Sequence, residues 1–176
     1  MTFALVLRPV DGPEDTRAAA EVFTASLSAA IQDGTIPPGP HPPADARRFF
    51  RDEVVPRREV WLAELDGRAV GVLALDEAWL DHLYVLPEHA RQRIGSSLLD
   101  LAKSRRPEGF GLWTFVSNTP ARRFYEQHGL VEVERTDGSG NLERSPDIRY
   151  VWRHAAGMSR TRPATVSEGG DTVLLT

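Results

Sequence analysis

The chain has 176 residues, 41% hydrophobic and 26% charged, which fits one soluble domain with a sizeable core. It contains no cysteine, so disulfides, thiolate metal sites and a cysteine nucleophile are excluded. The formal net charge of −4 argues against a nucleic-acid partner and is compatible with a cationic one, although such a charge is more often only a solubility feature.

The N-terminal run Phe3 to Arg8 reads as a first strand, stopped by Pro9. Arg8 and Pro9 stand where a signal peptide would need its apolar core or cleavage site, and no apolar run is long enough to span a membrane. A cytoplasmic protein with no membrane partner is expected. Asp11-Gly12-Pro13 is a turn. Glu14 to Ile31 reads as a helix, with Ala18, Val22, Ala25 and Ala29 at helical spacing and Phe23 and Leu27 widening the stripe. Glu14 and Asp15 suit the positive end of its dipole. Five of the ten residues from Gly34 to Pro43 are proline, so no regular element is expected there. Asp45 is placed to cap a second helix, Ala46 to Val55, closed by Pro56.

Strands follow. Val60 to Leu65 and Ala69 to Leu75 flank Asp66-Gly67, a hairpin signal. Trp79 to Leu86 alternates and ends at Pro87. Ile94 to Ser104 is helical, Phe110 to Val116 is a strand, and Pro120 to His128 is a helix closed by Gly129 in the left-handed conformation. Leu130 to Arg135 and Ile148 to Arg153 complete the strands, joined by a polar loop from Thr136 to Asp147. Trp61, Trp79, Trp113 and Trp152 fall in strands and read mostly as core. The order β-α-α-β-β-β-α-β-α-β-β predicts an α/β (α+β) mixed sheet with one right-handed crossover. Residues 1–154 form the expected domain, and 155–176 a loose tail in which Thr172 to Leu175 could dock.

The most informative stretch is Leu83 to Leu99, LYVLPEHARQRIGSSLL. A strand ends, a turn carries Arg91, Gln92 and Arg93, and a helix opens at Ile94-Gly95-Ser96. Unpaired N–H groups and the dipole at such a helix start attract anions, Gly95 admits a ligand close to the backbone, and arginine grips phosphate with two N–H groups. A pyrophosphate suits this junction; an arginine-rich turn on a surface helix has the same spacing.

The segment resembles the CoA-binding motif of the GNAT superfamily of N-acetyltransferases, (Arg/Gln)-x-x-Gly-x-(Gly/Ala). Pro87-Glu88, Ile94-Gly95, Ser97 and Leu98-Leu99 match its usual context, whereas Ala90 and Arg93 stand at the usual Arg/Gln and middle glycine. Asn118 and then Phe124-Tyr125-Glu126-Gln127-His128-Gly129-Leu130 are similar to the family's next strand end and helix, and Leu7-Arg8-Pro9 to its first strand. The likeness runs from Leu5 to Arg153.

The resemblance implies a mostly antiparallel sheet with a central parallel pair and about four helices. It implies direct transfer of an acetyl group from acetyl-CoA, the co-substrate, to a primary amine in a ternary complex, without a metal. Tyr125 would be the general acid toward the CoA sulfur. Leu83, Tyr84 and Val85 would contribute main-chain N–H groups to pantetheine and the acyl oxygen from a bulged strand, while Arg91, Gln92, Arg93, Ile94, Gly95, Ser96, Asn118 and Arg122 complete the cofactor site. Asn118 is also placed to cap a helix, a role for which Thr119 competes. The general base is open among Glu77, Asp81 and His82. Strict alternation puts Asp81 with Trp79 and Leu83, and His82 with Leu80 and Tyr84; a near-neutral imidazole favours His82, and proximity to a cation favours the acids. Acceptor identity should be written in the loops Thr35 to Pro43 and Asp137 to Asp147, where Asp137, Glu143 and Asp147 suit a cationic amine, a small molecule more than a protein. Similar proteins are commonly homodimers. An acyl-CoA-binding regulatory module without catalysis, and an interaction domain without CoA, are the competing readings. The chain has neither a Gly-Lys-Ser/Thr phosphate loop nor a Gly-x-Ser-x-Gly elbow.

Overall fold

The structure is a computed structural model that describes residues 4–40 and 42–154. Phe3, His41 and the tail from Ala155, including its Thr172 to Leu175 segment, lie outside the described residues. The element order is the expected one. Strand β1 (Leu5–Pro9) is followed by helices α1 (Gly12–Gln32) and α2 (Pro43–Phe49), the hairpin strands β2 (Glu59–Leu65) and β3 (Arg68–Leu75), and β4 (Leu80–Val85). Then come α3 (Ile94–Arg105), β5 (Phe110–Phe115), α4 (Thr119–Gln127), β6 (Val131–Arg135) and β7 (Asp147–Trp152). No helix among the described residues is long and apolar enough to cross a membrane.

Local chemistry explains most boundaries. Asp66 and Gly67 have φ of 52° and 75°, the paired positive values of the type I′ turn that matches strand twist. Gly129 closes α4 at φ 83°. Helix α2 departs from expectation. Its N-cap is Pro42, it opens on Pro43, and Asp45 sits inside the first turn rather than capping it. Proline's fixed φ suits a helix start, and its missing N–H costs nothing there. The chain then continues as a π-helical turn, Phe50–Val54, before Pro56. Asp15, expected only to complement the dipole of α1, is gripped by Arg8, which also reaches Glu64 Oε1 at 2.7 Å. One guanidinium thereby ties β1 to α1 and β2, and its hydrogen bonds hold the Asp15 carboxyl down at about 2.

Strands β1-β2-β3-β4 form one antiparallel sheet and β5-β7-β6 another. The expected central parallel pair is reduced to a single bridge, Trp79 with Gly111, which adjoins a hydrogen bond of 2.9 Å from Gly111 N–H to Ala78 O. Past that point β4 and β5 form no ladder among the described residues. Helices cover both faces of the larger sheet. On one side Ala19, Phe23 and Phe50 pack on Leu62, Val72, Ala74 and Tyr84. On the other, Leu98 and Leu99 of α3 and Tyr125 of α4 join Leu73, Leu75, Leu83 and Tyr150.

Strand β4 carries a bulge. Ala74 pairs with His82 and Leu75 with Leu80, which leaves Asp81 as the extra residue. Leu83 to Val85 pair regularly with β3, so the bulge precedes them. It also corrects strict alternation: Leu80 shares the core of Leu83, whereas His82 and Tyr84 face α1. None of the four tryptophans is fully buried. Each keeps one edge at the surface, as when Trp61 donates Nε1–H to Glu59 at 2.9 Å and carries Arg105 over its ring.

A β-carbon at Gly111 would lie 2.8 Å from Cζ3 of the Trp79 ring. Gly111→Ala should therefore destabilise the fold by about 1–3 kcal/mol. The loss should shrink in a Trp79→Leu background, read by chemical denaturation of the four proteins in the cycle.

Candidate functional site

The turn between β4 and α3 is built on unusual backbone. Arg91 and Arg93 have φ of 63° and 64°, the left-handed region in which side chains cost roughly 1 kcal/mol or more. Arg93, where the resembled motif has glycine, adopts a glycine-like conformation and is the N-cap of α3. Its side chain, like those of Arg91 and Gln92, is exposed. No side chain caps α3, and its first-turn N–H groups at Ile94, Gly95 and Ser96 have no acceptor earlier in the helix. Gly95 lies against Phe124 and Val85, where an added β-carbon would make ordinary contacts of 3.6 and 3.9 Å. The start of α3 therefore packs on the end of β4 and on α4, and its donors point away from the protein core.

A link absent from the sequence reading joins α3 to α4. His128 Nδ1 is 2.7 Å from the Phe124 carbonyl and must donate to it, because a carbonyl only accepts. The neutral imidazole then accepts at Nε2 from Ser96 Oγ, at 3.0 Å. A histidine after a Phe-Tyr-Glu helix is a weak sequence signal, and only the packing of the two helices gives it a partner.

Buried hydroxyls lie on β4 and β5, where the two strands part, and on α4. Tyr84 and Tyr125 are completely buried, and their hydroxyls have no hydrogen-bond partner among the described residues. Burial pushes both phenols well above their usual range, and Tyr84 also feels Tyr125 and Glu143. Tyr84 belongs to the core under α1 and Tyr125 to the core under α3, on opposite faces of the larger sheet. Thr114 on β5, a third buried hydroxyl without a partner, shares the face of Leu112 and Ile148. The sequence reading missed it, because a strand threonine carries no signal of its own. Asn118 is the N-cap of α4, taking the Ala121 N–H on Oδ1 at 3.2 Å, and Thr119 is the first helical residue. Arg122 donates Nη1–H to the Val116 carbonyl at 3.1 Å and so braces the exit of β5.

The three base candidates do not come together. Glu77 is exposed in the β3–β4 turn. Asp81 is buried and bonded to Nε of Arg58, which also reaches Asp76 at 3.4 Å. His82 is packed among Phe23, Phe50 and Tyr84, with ring centroids 5.3, 5.4 and 6.1 Å away. Burial, with a smaller contribution from Arg58, pushes its imidazole down to about 3. The expected near-neutral imidazole is therefore absent: inside an aromatic box the charged form loses its hydration and gains no anion.

The two loops expected to contact the acceptor meet. Ser117 Oγ donates to the Thr35 carbonyl at 2.8 Å, and Glu143 lies against Gly39. The arrangement offers main-chain donors for an anion at the start of α3 and buried, unpartnered hydroxyls on β4, β5 and α4.

Comparison with known proteins speaks to the family and the fold. The family description "Acetyltransferase (GNAT) domain" matches residues 56–132. An uncharacterized N-acetyltransferase of Archaeoglobus fulgidus is 36% identical over 97 residues, 47% of this chain and 65% of the relative, so the chain spans just under two thirds of that protein. The uncharacterized N-acetyltransferase YafP of Escherichia coli is 30% identical over 105 residues, 58% of this chain and 67% of the relative. Among solved structures, the PaiA N-acetyltransferase of Thermoplasma acidophilum in complex with coenzyme A superposes with a TM-score of 0.64 at 16% identity, covering 86% of this chain and 99% of that one. At that identity the likeness speaks to the fold.

His82 also sets an expectation for stability. Its folded pKa of about 3 lies below the unfolded value near 6.5, so the unfolded chain binds a proton that the folded chain refuses. Stability should fall as pH drops below about 6.5, by roughly 1.4 kcal/mol per unit from this group, until about pH 3. Denaturation at pH 7 and pH 5 should show the loss in the native protein. It should shrink in His82→Phe, which keeps the aromatic packing.

Proposed function

This chain belongs to the GNAT superfamily of N-acetyltransferases, and on that premise we propose that it moves an acetyl group from acetyl-CoA to a primary amine by direct attack within a ternary complex. The observation that carries the proposal is the parting of β4 from β5 after the Trp79–Gly111 bridge, where β4 leads to the donor-bearing start of α3, together with the buried, unpartnered hydroxyls of Tyr84 and Tyr125.

The residues fit an acyl-CoA. First-turn N–H groups of Ile94, Gly95 and Ser96 suit the pyrophosphate, with Arg91, Gln92 and Arg93 adding charge and donors from the exposed side. The left-handed turn supports a backbone grip even though arginine has replaced glycine. The edge of β4 through Leu83, Tyr84 and Val85 suits the amides of a pantetheine arm. Asn118 and Arg122 contribute by holding the start of α4 and the exit of β5 in place. When bound, acetyl-CoA would supply the activated acyl group.

The amine nitrogen attacks the thioester carbonyl, a C–N bond forms, and the C–S bond breaks. Main-chain N–H groups of β4 stabilise the charge that develops on the carbonyl oxygen. Tyr125 gives its proton to the departing thiolate and regains one from the second proton that the nitrogen sheds as it becomes an amide. Burial raises the pKa of this phenol, which keeps it protonated throughout the neutral range and also makes it a weaker acid. The amine must lose a proton, and at pH 7 only about one alkylamine in a thousand is neutral. We assign no base role to His82, whose imidazole is too weak, nor to Asp81, which is committed to Arg58. Glu77 is too exposed to be desolvated beside the substrate. The proton is given to solvent at the mouth of the site.

Calorimetry with acetyl-CoA tests the cofactor site. The native protein should bind, and Arg93→Asp, which replaces a cation by a carboxylate at the exposed N-cap of α3, should weaken binding at least about tenfold while the fold persists; a native protein that does not bind would end the proposal. Tyr125→Phe should lower kcat by roughly ten- to a hundredfold with acetyl-CoA affinity retained. With no residue titrating as base, kcat/KM should rise about tenfold per pH unit up to the pKa of the acceptor. A plateau near pH 6–7 would instead require a base in the site.

A further inference from the structure

We propose that Ser96 is a nucleophile activated by His128, a second reactive centre that takes the acyl group of small activated oxygen esters and passes it to water. Helix serines often turn their hydroxyl back on a carbonyl of the preceding turn. Ser97 does so, donating to the Arg93 carbonyl at 3.1 Å. Ser96, one position earlier, donates instead to Nε2 of an imidazole 3.0 Å away. That imidazole is itself oriented, because Nδ1–H is given to the Phe124 carbonyl at 2.7 Å. Hydroxyl, base and orienting acceptor make the chain of contacts that activates a serine for covalent catalysis. A main-chain carbonyl stands where a carboxylate is more usual. It stabilises an imidazolium less, which restricts the centre to esters whose alcohol leaves readily, such as phenyl esters.

The pair is held in place by the packing of α3 on α4. The Phe124 ring lies 4.3 Å from the imidazole, centroid to centroid. Lys103 Nζ donates to the His128 carbonyl at 2.7 Å, a second tie between the two helices. Neither Ser96 nor His128 is fully buried. The Ser96 N–H belongs to the first turn of α3, whose donors have no acceptor earlier in the helix and suit the negative charge of a tetrahedral intermediate. In the first step Ser96 Oγ bonds to the ester carbonyl carbon while its proton moves to His128 Nε2. The bond from that carbon to the alcohol oxygen breaks, and the leaving oxygen keeps the electron pair and takes the proton back from the imidazolium. In the second step His128 takes a proton from the water that attacks the acyl-serine. Ser96 leaves with that proton, and the carboxylic acid is released.

The test mixes p-nitrophenyl acetate with the full chain, free of CoA, and follows p-nitrophenolate release together with peptide mass measurement of the quenched protein. The native chain should release about one equivalent per chain in a burst and carry the acetyl group on Ser96. Ser96→Ala should lose both burst and label, and it keeps the fold because alanine favours a helix. His128→Phe, which retains a ring against Phe124, should slow the burst about a hundredfold. Ser97→Ala, a change at the neighbouring serine, should leave the burst as it is. Absence of a burst from the native chain overturns the proposal. So does an acetyl group on lysine, tyrosine or the N-terminus in place of Ser96, a burst that survives Ser96→Ala, or one that keeps its native rate in His128→Phe. Acetyl-CoA takes no part in this readout, so its outcome stands apart from that of the acyltransferase reading.

Discussion

One contact governs the site: Trp79 against Gly111. Two parallel strands adjacent in a sheet would normally continue their ladder and bury its amides. Here the ring of Trp79 lies over a residue without a side chain, one bridge forms, and the strands part. Each half of the domain then satisfies its own backbone, β4 through β3 and β5 through β7. An open strand edge is ordinarily a liability. In this fold β4 and β5 form no ladder past that bridge among the described residues.

The same opening explains where polar groups are tolerated without partners. Tyr84, Tyr125 and Thr114 are buried on β4, α4 and β5, and all three hydroxyls lack a partner among the described residues. Buried hydroxyls usually find a partner because leaving one unmade costs on the order of 1–3 kcal/mol. Tyr84, Tyr125 and Thr114 bear that cost on β4, α4 and β5. The strained φ values of Arg91 and Arg93 belong to the same pattern, since the turn pays conformational energy to direct its N–H groups outward.

The bulge at Asp81 has a second consequence. By inserting one residue it turns His82 and Tyr84 toward α1 while Leu80 and Leu83 face α3. His82 thereby enters an aromatic box and loses its basicity, whereas Asp81 is delivered to Arg58. A single irregularity in hydrogen-bond register thus decides which neighbouring side chains remain chemically available. On the far side of the gap, hydrogen bonds within the β6–β7 loop occupy Asp137 and Asp147 and leave Glu143 facing Gly39.

The sequence by itself determined the element order, the type I′ turn at Asp66-Gly67, the left-handed stop at Gly129 and the phosphate-suited opening of α3 at Ile94-Gly95. These depend on local backbone preference and on periodicity, which are written in consecutive residues. It did not determine the capping of α2, because Pro42-Pro43 and Asp45 offer competing starts and only packing chooses. Nor could it reveal the reduction of the parallel pair to one bridge, the bulge at Asp81 or the Ser96–His128 bond. Each of these is a relation between segments distant in the chain. The burial that weakens His82, and the meeting of Glu143 with Gly39, are likewise set by what the fold packs around a side chain. Tertiary structure alone decided them, because solvation and proximity are properties of the folded surroundings and not of the residue.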